Sequence, residues 1–170
     1  FSAPALVSAT TLDNPTAISF GRFGNANIPS VVVASQDADH YTRFGTSLSE
    51  FSLTGLTGDA PTDIELADTT GDSFNDVITT NSGAGNLTFD LGTLGTNFTA
   101  AATLTGSTTP VALAVGKIDD DSFPDVAVAD QAGFLRDYIN TGPTMSTTSN
   151  LNFGTQALST AGPPLAVTFK

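Results

Sequence analysis

Apolar residues in this chain come in short bursts, alternate with small or polar ones, and follow a proline. Four such bursts align: Pro15-Thr-Ala-Ile-Ser-Phe20, Pro61-Thr-Asp-Ile-Glu-Leu66, Pro110-Val-Ala-Leu-Ala-Val115 and Pro164-Leu-Ala-Val-Thr-Phe169. The third and fifth residues after each proline are large and apolar: Ile18 and Phe20, Ile64 and Leu66, Leu113 and Val115, Val167 and Phe169. A period of two is the period of a β-strand, whose successive side chains point to opposite faces.

A second strand is predicted in each unit at Ser30–Ala34, Asp76–Thr79 and Asp125–Ala129, all rich in β-branched residues. A third follows a Gly- or Asp-bearing turn at His40–Phe44, Asn86–Leu91 and Phe134–Ile139. A fourth, rich in Thr and Ser with a Phe near its start, is predicted at Phe1–Thr11, Phe51–Leu56, Phe98–Leu104 and Phe153–Leu158. No stretch carries a capped apolar stripe of helical period, so the chain reads as all-β. The prolines are spaced 46, 49 and 54 residues apart. Four short strands at that interval is the period of a propeller blade.

The expected organisation is therefore three four-stranded antiparallel blades with flanking strands, a partial ring. Residues 1–12 form the outer strand of a preceding blade, 13–58, 59–107 and 108–160 the three blades, and 161–170 the first strand of a following one. A ring of this kind closes with about four to eight blades. The missing partners are then the remaining blades of a longer chain or further copies of the chain itself.

Charge sharpens the picture. The 170 residues carry 17 acidic groups against 5 basic ones, a net charge of −12, and every acid but Glu50 and Glu65 is Asp. Aspartate collects in turns and metal loops rather than on helix surfaces. So negative a field disfavours nucleic acid and anionic membranes as partners. There is no cysteine, hence no disulfide and no thiolate chemistry. No apolar run reaches the length of a membrane-spanning helix. Without an initiator Met or a basic and apolar leader, Phe1 reads as a mature or trimmed start.

The acids concentrate between the first and second strands. The second unit has Asp68-Thr-Thr-Gly71-Asp72-Ser-Phe74-Asn-Asp76, and the third has Lys117-Ile-Asp119-Asp-Asp121-Ser-Phe123-Pro-Asp125. Numbered one to nine, the second unit's loop places acids or hydroxyls at positions one, three, five and nine, and the third unit's at three, five and nine, with Lys117 at one. With the carbonyl of position seven they offer hard oxygen ligands suited to Ca²⁺, which accepts six to eight oxygens in adaptable geometry; Mg²⁺ demands a stricter octahedron. The candidate ligands are Asp68, Thr70, Asp72, Phe74 and Asp76, and in the third unit Asp119, Asp121, Phe123 and Asp125. The alternative is that these acids only cap turns.

These loops and the short apolar strands that follow resemble the FG-GAP (VCBS-type) repeats of integrin α-chain-like β-propellers. The family motif is Asp-x-(Asp/Asn)-Gly-Asp-Gly-x-x-Asp. The resemblance implies a propeller fold, bound calcium, a secreted or cell-surface setting, and a part in adhesion, ligand binding or scaffolding. Three departures stand out. Ser73 and Ser122 replace the family glycine at position six, Lys117 replaces the acid at position one, and Arg22–Ser30 of the first unit has no carboxylate. The first loop is therefore expected to be empty of metal, and Lys117 to neutralise part of its own loop's charge.

Other residues carry less. His40 stands alone among the serines and makes no triad. Asp63 and Glu65 lie two apart on one strand, roughly 6.6 Å by the strand rise, and read as a hydrated channel wall or a partner salt bridge, since two residues of one strand flank a sugar poorly. Asn86 and Asn97 head N-glycosylation patterns. The functional expectation is a non-catalytic extracellular calcium-binding module with a protein or glycan ligand. Two alternatives are a structural subunit of a surface assembly joined by strand addition, and a carbohydrate-binding propeller lectin; the absence of Trp weighs against the lectin.

Overall fold

A computed structural model describes residues 12–23, 28–45, 50–94 and 98–142. The expected strands Phe1–Thr11, Phe153–Leu158 and Pro164–Phe169 lie outside these residues, as does Asn97. Eleven strands and no helix occur among the described residues. The first sheet runs β1 (Pro15–Phe23), β2 (Ile28–Ser35), β3 (His40–Phe44) and β4 (Glu50–Leu56). The second comprises β5 (Pro61–Ala67), β6 (Asp76–Asn81), β7 (Asn86–Gly92) and β8 (Phe98–Thr105), the third β9 (Pro110–Gly116), β10 (Asp125–Asp130) and β11 (Phe134–Tyr138). In each sheet the strands lie in chain order, every neighbouring pair antiparallel, and none of the sheets closes on itself.

The alternation read from the sequence sets these meanders. Tight turns join second to third strands, and left-handed residues such as Asp39 (φ 50°) and Gly85 (φ 64°) reverse the chain in two of them. One hydrogen bond recurs in all three sheets. The amide after the second strand donates to the carbonyl of the residue before the leading proline: Gln36 to Asn14, Ser82 to Ala60, and Gln131 to Thr109, at 2.9–3.0 Å.

The second sheet lies between the other two. Against the first sheet, Ile64 and Val77 pack on Phe23, Val32, Ala34 and Tyr41, with Phe98 set edge-on to Phe23 and Tyr41. Against the third, Ile78 and Leu87 pack on Leu113, Val126 and Val128. The innermost strands β1, β5 and β9 lie side by side, and their seam repeats a polar contact: Thr16 Oγ1 donates to the Pro61 carbonyl (2.9 Å) and Thr62 Oγ1 to the Pro110 carbonyl (2.8 Å).

The large apolar positions of the first strands have unequal fates. Ile64 and Leu113 are buried, 1% and 7% exposed, whereas Ile18 at the same place in β1 is 69% exposed. Ile64 faces the first sheet and Leu113 the second; Ile18 has no described sheet to face.

This asymmetry fixes an expected outcome. Ile64→Ala should destabilise the fold by about 2–5 kcal/mol, and Ile18→Ala should stay within about 0.5 kcal/mol of the parent. Urea unfolding followed by circular dichroism checks both.

Candidate functional site

In the second and third sheets the loop between first and second strands is built around one buried aspartate. At the end of the second sheet's loop, Asp76 is fully buried; its Oδ2 accepts from the Thr69 amide (2.8 Å) and hydroxyl, and its Oδ1 from the Gly92 amide (2.9 Å). In the third sheet Asp125 is equally buried; its Oδ2 accepts from the Ile118 amide (2.8 Å) and its Oδ1 from the Asn140 amide (2.8 Å). Each carboxylate therefore ties the start of its loop to the end of the third strand of its sheet.

The first sheet has Ser30 at this position, and its hydroxyl accepts from Arg43 Nε (3.1 Å) and Nη2 (3.0 Å). Arg43 is 1% exposed and stacks over Phe23 at 4.5 Å. A buried guanidinium thus accompanies the loop that has no carboxylate. The cation that reaches Ser30 is Arg43 of the third strand, whereas Arg22, on β1, is exposed.

Within the second loop, Asp68 Oδ1 accepts from Gly71 N (2.7 Å) and Asp72 N (3.1 Å), its Oδ2 from Ser73 N (2.8 Å), and Asp72 Oδ1 from Phe74 N (2.9 Å). The loop turns sharply at Gly71 (φ 76°) and Ser73 (φ 73°). A left-handed serine is strained by roughly 1–2 kcal/mol, so the backbone holds at position six a conformation suited to glycine. In the third loop Asp119 Oδ1 accepts from Asp121 N (3.0 Å) and Asp121 Oδ1 from Phe123 N (2.8 Å). Ser122 has no positive φ. Lys117 is exposed and pairs with none of its loop's described carboxylates.

Among the described residues no three acidic or imidazole groups converge as a ready metal cage. The carboxylates that could ligate are turned to backbone amides, the arrangement of turn caps. Their fit to calcium rests on what is left over. A carboxylate offers about four lone-pair sites, and neither Asp68 nor Asp72 uses all of them on the amides named above. The Thr70 hydroxyl, at position three of the loop, is buried with no hydrogen-bond partner. Burial raises the Asp76 carboxyl above the usual aspartate range, and the charge of Asp72 pushes it the same way. Asp125, which accepts from amides alone, goes the other way, because its amide hydrogen bonds outweigh desolvation. Asp68, Thr70 and Asp72 thus keep oxygen capacity that fits a hard cation.

The two loops meet at Asn140, which no pattern in the sequence singles out. Its Nδ2 donates to the Thr69 carbonyl (2.7 Å) of the second loop and to the Pro124 carbonyl (3.2 Å) of the third. Phe123 lies against Gly71 and Gly142; a side chain on Gly142 would collide with its ring, and one on Gly71 would press on it at 3.2 Å. Beside them a largely apolar cavity of about 340 Å³ opens between the second and third sheets, lined by Thr70, Phe89, Leu104, Val126, Tyr138 and Asn140 among others.

Asp63 and Glu65 act as hydrogen-bond acceptors across the seams. Asp63 Oδ2 accepts from Leu113 N (2.8 Å), and Glu65 accepts from the Ser19 hydroxyl (2.9 Å). His40 Nδ1 lies 3.1 Å from the Ala38 carbonyl, a local contact. A second buried pair joins the first and second sheets, Tyr41 Oη donating to Asp90 Oδ2 at 2.8 Å. Burial raises the Asp90 carboxyl, with Tyr41's hydrogen bond opposing, and burial also raises the Tyr41 phenol. No family model and no curated protein matches the chain.

Two aspartates should respond to acid with opposite sign. Asp90 titrates above its ordinary value of 3.8 in the fold, so its protonation favours the folded state and its contribution improves as pH falls. Asp130 accepts amide hydrogen bonds from Thr108, Thr109 and Ala132 and titrates below 3.8; its stabilisation is present above that value and is lost as pH drops through the depressed one. Thermal melts across this range should show Asp90→Asn raising the midpoint near neutrality and Asp130→Asn lowering it. Both differences should shrink in acid.

Proposed function

We propose that the chain is a non-catalytic calcium-binding module of propeller-type blades, secreted or displayed at a cell surface, resembling FG-GAP (VCBS-type) repeats. One observation carries the reading: two loops in register end on the same buried aspartate, held by the same two backbone donors. Ser73 supports it further by adopting a left-handed turn where the family motif has glycine. Calcium would be held by Asp68, Thr70, Asp72, the Phe74 carbonyl and Asp76. In the third loop Asp119, Asp121, the Phe123 carbonyl and Asp125 would form a weaker site, since Lys117 contributes no oxygen there. The ion would offset the mutual repulsion of the loop acids and fix the first turn of each blade. Its role is structural, and partners would be met by exposed loops on a rigid sheet scaffold.

A ligand that binds only the folded state stabilises it by about 2.7 kcal/mol at a hundredfold excess over its Kd. For a domain of this size that corresponds to a rise on the order of 5–10 °C in Tm. Calcium should produce such a rise over chelator, Asp72→Ala should remove most of it, and Asp121→Ala a smaller part. Identical melts in calcium and chelator would reduce the acids to turn caps.

A further inference from the structure

The two end sheets carry exposed strips that match each other. In the first sheet Ile18 and Phe20 are each 69% exposed. Their counterparts Ile64 and Leu66, and Leu113 and Val115, lie in the two seams between sheets. On the third sheet Leu135 is 79% exposed. By strand register it stands where Tyr41 and Leu87 stand: Leu135 opposes Ala129, Tyr41 opposes Ala34, and Leu87 opposes Thr80. Tyr41 and Leu87 are both buried against the next sheet.

The glycines show the same match at atomic scale. A side chain on Gly21 would collide with Leu66, 2.9 Å away, so Leu66 seats on that glycine. In the next seam Ala67 stands where Gly21 does and Val115 where Leu66 does, both packed against one core cluster. In the third sheet the equivalent seat is Gly116, and nothing lies within 4 Å of a side chain built there. The residue that corresponds to Leu66 and Val115 is Phe20, and an open glycine seat suits its larger ring.

We infer that two copies of this chain associate head to tail, Ile18 and Phe20 of one docking on Gly116 and Leu135 of the next. A second copy is favoured as the occupant because one contact accounts for both exposed strips; covering the third sheet alone would leave Ile18 and Phe20 in water. On the same face of the first sheet Val33, Thr42 and Phe44 are already buried, so the contact uses the innermost strand. The seam is more apolar than those inside the chain. Val111, 40% exposed, stands where Thr16 and Thr62 donate to the next proline carbonyl. A heterologous contact of this kind leaves one strip free at each end, so it either closes into a ring or continues. It uses none of the loop carboxylates, so it can fail while the calcium reading stands, and the reverse.

Sedimentation or light scattering across a concentration series tests it. The parent chain should associate, and Phe20→Asp and Leu135→Asp should each be monomeric. Both positions are exposed, and unchanged circular dichroism confirms that the variants fold. A mixture of the two variants should form a one-to-one dimer and nothing larger, because only one competent strip of each kind remains. A parent chain that stays monomeric would mean that the strips are covered within the chain itself or remain in solvent, and would overturn the proposal. Variants that associate as the parent does would overturn it equally.

Discussion

Each acidic loop in this fold hangs on a single buried carboxylate. Asp76 and Asp125 sit at the start of the second strand of their sheets, out of reach of water, and accept amide hydrogen bonds from both directions along the chain. An unpaired carboxylate in such a place would be strongly unfavourable. The loop must therefore bring an amide back from its beginning, and the third strand must end with one aimed at the same group. That requirement fixes the shape of the acidic loop and holds the sheet behind it together. The first sheet meets it differently, with a hydroxyl at Ser30 and the guanidinium of Arg43.

The two acidic loops share this frame but not its electrostatics. Asp76 is desolvated and lies near the charge of Asp72, and both raise its carboxyl. At Asp125 the amide donors prevail over desolvation and lower it. A cation nearby would relieve the first situation more than the second. This agrees with the intact acid at Asp68 in one loop and the lysine at 117 in the other. Turn capping and metal binding need not exclude one another here, because the amides use only part of the lone-pair capacity of Asp68 and Asp72.

Most of the strand layout was legible in the sequence. The period-two bursts after Pro15, Pro61 and Pro110 coincide with β1, β5 and β9, and the β-branched runs with β2, β6 and β10. Alternation gives strand positions because it is local. It does not say which face meets a neighbour, so Ile18 and Ile64 looked identical although one is exposed and the other buried. The loops were found by their acids, since like charges at regular spacing are conspicuous. Asn140, Arg43 and the Tyr41–Asp90 pair were not. Each acts through contacts set by packing between strands or sheets, and a lone polar residue in a strand carries no sign of its partner. The expected role of Lys117 as a counter-charge has no counterpart among the described contacts.

The loop beginning at Asp68 is proposed as a cation site and not only a capped turn. Calorimetric titration of calcium into the chelator-treated protein at fixed ionic strength addresses it most directly, with magnesium and the Asp68→Asn variant run alongside. Calcium should give a saturable event that magnesium reproduces only weakly and that Asp68→Asn diminishes. Heats no greater than dilution, or equal heats for both ions and both proteins, would contradict it.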